Sequence, residues 1–413
     1  MYGMRIKVWA FVLEGLNSVS ATLYFYFIYW YLKDAFGFGS RENLLWAVGH
    51  GMVYVVASIL GGRFGQRYGY LRALQVGFGG MSLAFLAGWY VDGAGLARSA
   101  AIVMQAALMV VATISVCFTW PSLEALVSEG APGRQLQRFI GVYNLVWSGA
   151  GSAAFFAGGA LIEALGQRNV IFLIPGITIG VQWCLVAWLG RREPVRGGVP
   201  EAHGVLATEE ERHRSRVNPR TFLGMSWLAN PCAYVAISTA VPLIPTLAGR
   251  LGLEAREAGF FCSIWLFVRT ATFVVLWQWS GWHYRFRWLA GAFVGMVVGF
   301  LGIFLGATIP GAGRWDLLFA VTLAQVVFGV GIGLIYYSSL YYSMDVGDTK
   351  GDHGGIHEAA IGAGILGGPL VGGLAQWFRP SGANAAAWAV SAVLLVGLGV
   401  LLRMWRQGRE PEG

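Results

Sequence analysis

The sequence is short of charge: Asp, Glu, Lys and Arg make up 12% of its 413 residues, against roughly 25% in an ordinary soluble domain. A chain so poor in ionic groups cannot cover a water-facing surface, which excludes a soluble globular fold. Cysteine is scarce, and Cys117, Cys184, Cys232 and Cys262 all lie inside apolar runs. There they act as small hydrophobic residues, not as a disulfide framework or a zinc site. Polar low-complexity tracts and a collagen period are absent, so disordered and fibrous classes fall away. The sequence has no G-x4-G-K-S/T loop, and drive by ATP is not expected. The first apolar stretch, Val8 to Leu32, follows Arg5 and Lys7. It is too long for a signal-peptide core and no small-x-small cleavage site follows it. The formal net charge of +8 is spread through short segments, so a nucleic-acid partner is not expected.

What is abundant is apolar. Hydrophobic residues make up 56% of the chain, with 18 Trp and 60 Gly, and the mean hydropathy is +0.59. Dividing the apolar runs at charged or Gly/Pro-rich punctuation gives twelve spans: 8–31, 44–62, 73–91, 99–127, 139–165, 170–190, 221–247, 257–279, 286–306, 315–343, 352–378 and 382–404. Each is long enough for a membrane helix and none alternates as a barrel strand would. The segments between spans carry 20 basic residues on the side of the N-terminus and 8 on the other. The positive-inside rule then predicts both termini in the cytoplasm of a cell whose inner or plasma membrane holds the chain.

The longest hydrophilic stretch, 191–220, splits the chain into a first six-span unit over 1–190 and a second over 221–413. The first and seventh spans start 213 residues apart. That offset superimposes Gly141, Gly149, Ala150, Gly151, Gly159 and Leu161 on Gly354, Gly362, Ala363, Gly364, Gly372 and Leu374. An internally duplicated six-helix unit follows, and such repeats mark secondary transporters whose site lies at the repeat interface.

Three segments carry a resemblance. Between spans two and three, Gly62, Arg67 and Gly69 stand in register with the G-x-L-A-D-R-x-G-R-R loop of the major facilitator superfamily, with Gln66 at the acidic position. At the start of span five, Arg134-x3-Arg138 followed by Gly141, Tyr143, Asn144 and Trp147 is similar to the corresponding loop and helix of many members. In span eleven, Gly364-x3-Gly368-Pro369-x2-Gly372-Gly373 matches the family's G-x3-G-P-x2-G-G pattern. That pattern marks proton antiporters when it lies in helix five, so in span eleven it licenses no antiport inference; its glycines permit close packing and Pro369 allows a bend. The resemblance covers the whole chain. It implies an all-α membrane fold of two six-helix bundles related by a pseudo-twofold, with helices 1, 2, 4, 5, 7, 8, 10 and 11 around a central cavity.

An ionisable side chain in the hydrocarbon region costs at least ~2.5 kcal/mol, so each one asks for a partner or a function. Glu14 in span one begins a polar stripe with Asn17, Ser18 and Thr22 at i+3, i+4 and i+8. The stripe is either a cavity face with a proton-carrying carboxylate or an interhelical hydrogen-bond site. Arg269, near the middle of span eight, either faces an aqueous cavity or pairs with a carboxylate such as Glu358. His353 and His357 share one face of span eleven, near Asp345, Asp348 and Asp352. Two His one turn apart have ligand spacing, yet no third ligand is fixed, so a titrating transport residue is favoured over a metal site. Tyr143, Asn144 and Trp147 share a helical spacing, and the offset places Asn144 opposite His357. Tyr336 and Tyr337 are deep enough to stack on a solute, whereas Tyr24, Tyr26, Tyr29, Trp30 and Tyr31 are assigned mostly to the interfacial aromatic belt. His50 and Gln325 are further candidates. Pro121 is expected to bend span four, and Glu124 and Glu129 beyond it are assigned to a cytoplasmic closure with Arg67, Arg134 or Arg138.

The residues point to a proton-coupled secondary transporter of a small organic solute, a monomer with no cofactor and no enzymatic activity. Two rivals remain at this level: a membrane-embedded metal-dependent hydrolase on His353 and His357, and a non-transporting sensor or scaffold on the same fold.

Overall fold

The computed structural model describes residues 2–129, 133–192, 217–346, 350–380, 382 and 384–408. Each predicted span coincides with one helical span, the ends differing by a few residues. They are α1 (Tyr2–Phe36), α2 (Ser40–Tyr68), α3 (Tyr70–Gly93), α4 (Arg98–Ser128), α5 (Gly133–Leu165) and α6, which opens with a π-helical turn at Asn169–Leu173 and continues as Ile174–Arg192. Then come α7 (Pro219–Arg250), α8 in two pieces (Ala255–Cys262 and Ile264–Gln278), α9 (Phe286–Gly306), α10 (Arg314–Val346), α11 (Lys350–Phe378) and α12 (Ala385–Gln407). In lipid each backbone N–H and C=O must be satisfied within its own segment, which is why apolar runs of this length are helical. The 191–220 linker falls largely outside the described residues.

Packing repeats between the halves. In the first, α3 packs on α4 and α6, α1 on α5, and α2 on α4; in the second, α9 packs on α10 and α12, α7 on α11, and α8 on α10. The halves meet chiefly where α2 lies along α11 and α5 along α8. Glycines permit close packing both between the halves, where α2 meets α11, and within the first, where α2 meets α4. A Cβ on Gly51 of α2 would lie 2.5 Å from Leu366 Cα, and one on Gly61 would run into the Cys117 carbonyl of α4. Pro121 and Pro369 lack the N–H that would bond Cys117 and Ile365 four residues earlier. Both seams therefore bring an α2 glycine up to a stretch of backbone that a proline has loosened. Gly364 and Gly368 pack in the same manner on the Pro231 and Val235 carbonyls of α7.

The segment between spans two and three departs from expectation. It is not an extended loop: α2 stays helical through Tyr68, and Gly69 alone, at φ +97°, divides α2 from α3. Only that residue needs a conformation that glycine adopts without strain. Gly62, Gln66 and Arg67 are thus helical, with Gln66 and Arg67 exposed and Gly65 packed on Ser122 of α4. After α8 the turn is anchored differently. Buried Tyr284 donates its hydroxyl to Asp345 of α10, and its backbone N–H donates to Tyr342 Oη at 2.9 Å. Burial first, and the hydrogen bond to Asp345 second, push the Tyr284 phenol well above the ordinary tyrosine range. It therefore remains a donor at any physiological pH.

Candidate functional site: a charged cavity between the halves

A cavity of about 190 Å³ lies between the two halves and is walled by α1, α2, α4, α5, α7, α8, α10 and α11. These are the eight helices the resemblance implies. Four charged side chains reach it from four helices: Glu14 (α1), Glu124 (α4), Arg269 (α8) and Glu358 (α11).

Glu14 is fully buried. Ser18, one turn along α1, donates to its Oε1 at 2.8 Å, and Tyr143 of α5 donates to its Oε2 at 3.2 Å. Both donors belong to the first half. Glu358 differs, because its Oε2 accepts a 2.6 Å hydrogen bond from Tyr54 of α2 across the boundary between halves. The Glu124 carboxylate has no hydrogen bond or ion pair among the described residues. Its place on the cavity wall corrects the sequence assignment: it does not close the cytoplasmic end with Arg67 or Arg138, both exposed, while Arg134 lies outside the described side chains. The cause is helical phase, since Glu124 lies one turn beyond Trp120, which also lines the cavity. The Glu129 carbonyl instead accepts from Lys7 Nζ at 2.7 Å.

Arg269 has no carboxylate within ion-pair distance among the described residues, so of the two sequence alternatives the pair with Glu358 is not formed. Its guanidinium lies 4.5 Å from the Trp147 ring centroid and 5.5 Å from that of Trp265, and its buried Nε has no partner. Cation–π contact in a desolvated site replaces the ion pair. Trp147 is fixed in turn by its Nε1–H donating to Asn144 Oδ1 at 2.9 Å and by Tyr336, which meets it edge-on at 5.2 Å.

The structure separates the other candidates. Tyr143, Trp147 and Tyr336 line the cavity. Asn17 lies behind it, donating to Thr119 Oγ1 at 3.3 Å, and Asn144 supports Trp147 from outside the wall. His357 points away from Glu358 toward α10, its Nδ1 3.5 Å from Ser339 Oγ, and does not face Asn144 across a shared rim. Tyr337 turns from the cavity to pack on Phe273 and Trp282. Gln325 bonds the Phe261 carbonyl away from it. His50 does line the wall, 2.8 Å from Thr113 Oγ1. His353 lies outside the described side chains, and among the described residues no group of three or more His, Cys, Asp or Glu could hold a metal.

Sequence reasoning missed Tyr26 and Tyr29, which line the cavity instead of an interfacial belt, and Tyr54, Trp120 and Tyr234. Over 21–32 no residue of α1 is exposed, because α4, α5, α6 and α7 pack around it, so the aromatics there have no lipid to face. For Tyr54 a signal existed, since it stands one turn from His50 on the same face of span two.

A model described as Major Facilitator Superfamily matches residues 10–352. No curated protein matches the chain by sequence. Among solved structures, the xylose transporter XylE from E. coli in a partially occluded inward-open conformation is similar, with a TM-score of 0.71 at 13% identity over 100% of this chain and 99% of that one. The proton:xylose symporter XylE bound to 6-bromo-6-deoxy-D-glucose gives 0.67 at 13% identity over 98% and 95%. A bacterial homologue of the iron transporter ferroportin, outward-facing with soaked iron, gives 0.65 at 13% identity over 96% and 98%. These likenesses are likenesses of fold.

Proposed function

The chain belongs to the Major Facilitator Superfamily, a multi-pass membrane protein and a transporter by family, and from that premise we propose that it carries a small organic solute by alternating access with proton coupling. The observation that carries this reading is the central cavity, to which both halves contribute charged side chains: Glu14 and Glu124 from the first, Arg269 and Glu358 from the second. A cavity between two repeated bundles suits rocking about a fixed site. The two bundles of the proposal are residues 1–190 and 221–413, joined by 191–220. The 20-to-8 basic bias supports a cytoplasmic position for both termini.

Proton coupling rests on the acids. A carboxylate in a desolvated cavity is stable only when protonated or paired, so a change of surroundings moves a proton on or off it. Glu358 is the favoured carrier because its donor, Tyr54, belongs to the other half. The test is purified protein in proteoliposomes containing a trapped pH dye. Adding a transported solute outside, with no imposed gradient, should change the internal pH, whereas empty liposomes should show no change. Solute flux without proton movement would leave a transporter but remove the coupling.

A further inference from the structure

The cavity offers carboxylate acceptors, ring faces and a set of neutral hydroxyls, with one guanidinium. Glu124 has both carboxylate oxygens without a partner among the described residues, and Glu358 has a hydrogen bond only at Oε2. The phenols of Tyr54 and Tyr143 are committed to Glu358 and Glu14. Glu358 is near enough to Glu14 and Glu124 for their charges to interact. The lone cation, Arg269, is held over Trp147 and Trp265, and the groups that feel its charge most are the phenols Tyr26, Tyr234 and Tyr336. Glu14 is tied to Tyr143, and Trp147 stands one helical turn further along α5. The cavity therefore has a carboxylate layer on the side of the N-terminus and an arginine–aromatic layer next to it.

Nine of its lining residues are Phe, Tyr or Trp, whose faces attract cations. An organic anion would enter a space where three acids outnumber one guanidinium. A neutral polyol could use the wall hydroxyls but would leave the carboxylate charges unanswered. A bare metal ion does not fit, because the carboxylates are not grouped closely enough for three to hold one ion. A polyatomic cation spans such a gap.

We infer that the transported solute carries a protonated amine, seated by its N–H groups among Glu14, Glu124 and Glu358 with its carbon skeleton against the aromatic wall. This deepens the transport function proposed above and rests on it. The charge of the amine supplies what the three carboxylates lack when no proton is bound, so solute and proton compete for the same oxygens. Arg269, one layer away, leaves room for a carboxylate on the same molecule.

The test is the thermal unfolding of the purified full chain, followed by tryptophan fluorescence, with four molecules that share a phenyl ring and differ in charge: phenethylamine, phenylalanine, phenylacetate and phenethyl alcohol. Xylose serves as a neutral sugar. A ligand that binds only the folded state raises the melting temperature as its concentration passes its dissociation constant. Phenethylamine, phenylalanine or both should raise it, and the other three should not. A response to phenethylamine assigns simple organic cations, and one confined to phenylalanine assigns zwitterions that also engage Arg269. Glu124→Gln and Glu358→Gln, each checked for an unchanged size-exclusion profile, should raise the half-maximal amine concentration at least tenfold. Silence toward both amines, a response to phenylacetate or xylose equal to theirs, or unchanged amine binding in both variants would overturn the inference. Uptake of xylose by proteoliposomes in any of those cases would leave the transport reading standing.

Discussion

Arg269→Ala should abolish solute flux while the chain still inserts and purifies as a monodisperse species. The guanidinium is buried, at 6% exposure, and bonds no carboxylate among the described residues, so its removal strands no negative charge there and relieves a desolvation cost. What is lost is contact. A desolvated cation–π interaction is worth about 2 kcal/mol, and with tenfold per 1.4 kcal/mol the loss of that contact alone predicts a drop of roughly 30-fold in initial uptake rate. Trp147 and Tyr336 would lose the group they pack around, which adds to the deficit. Because Arg269 and Glu358 are not paired, Arg269→Ala combined with Glu358→Ala should not recover flux. Recovery in the double variant, measured as uptake in proteoliposomes at matched protein density, would mean that the two form an ion pair in some state of the cycle.

Glu358→Gln, assayed at solute concentrations raised to offset its weaker binding, should still exchange solute but lose accumulation driven by a pH gradient. The amide keeps the size of the carboxyl and can still accept from Tyr54, but it cannot take up or release a proton. One pH unit corresponds to about 1.36 kcal/mol per proton, enough to concentrate solute roughly tenfold for each proton coupled to each solute. The wild type should approach that ratio, and the variant should stay near unity. Glu14→Gln should have a smaller effect, since both donors to Glu14, Ser18 and Tyr143, move with its own half. Accumulation by Glu358→Gln at the wild-type level would remove this acid from the coupling path.

The architecture was legible because membrane helices announce themselves by length and composition, and the positions of twelve spans follow from where charge interrupts them. The eight cavity helices were legible only through the family resemblance, since no span periodicity distinguishes a helix lining a cavity from one facing lipid. Glu14 and Arg269 stood out for a physical reason, the cost of a charge in hydrocarbon. Glu124 did not, because it lies near the end of its span, where an acid needs no explanation; only the phase of α4 beyond Trp120 and Pro121 shows that it turns inward. Partner choice was equally hidden. Whether Glu358 meets Arg269, His357 or Tyr54 depends on packing between segments 304 residues apart in the case of Tyr54, and chain spacing carries no trace of it. His357 illustrates the limit of the repeat argument, since an offset that aligns it with Asn144 says nothing of the direction in which either side chain points.

The central claim is that one cavity opens alternately to the two sides of the membrane, and thiol accessibility tests it most directly. Ser238 lines the cavity from α7, so a Ser238→Cys variant with Cys117, Cys184, Cys232 and Cys262 replaced places a single thiol there. Membrane-impermeant maleimide is applied to oriented vesicles from one side at a time. Alternating access predicts labelling from both sides, with solute slowing both reactions. Labelling from one side only under every condition, with and without solute and gradient, would contradict the account.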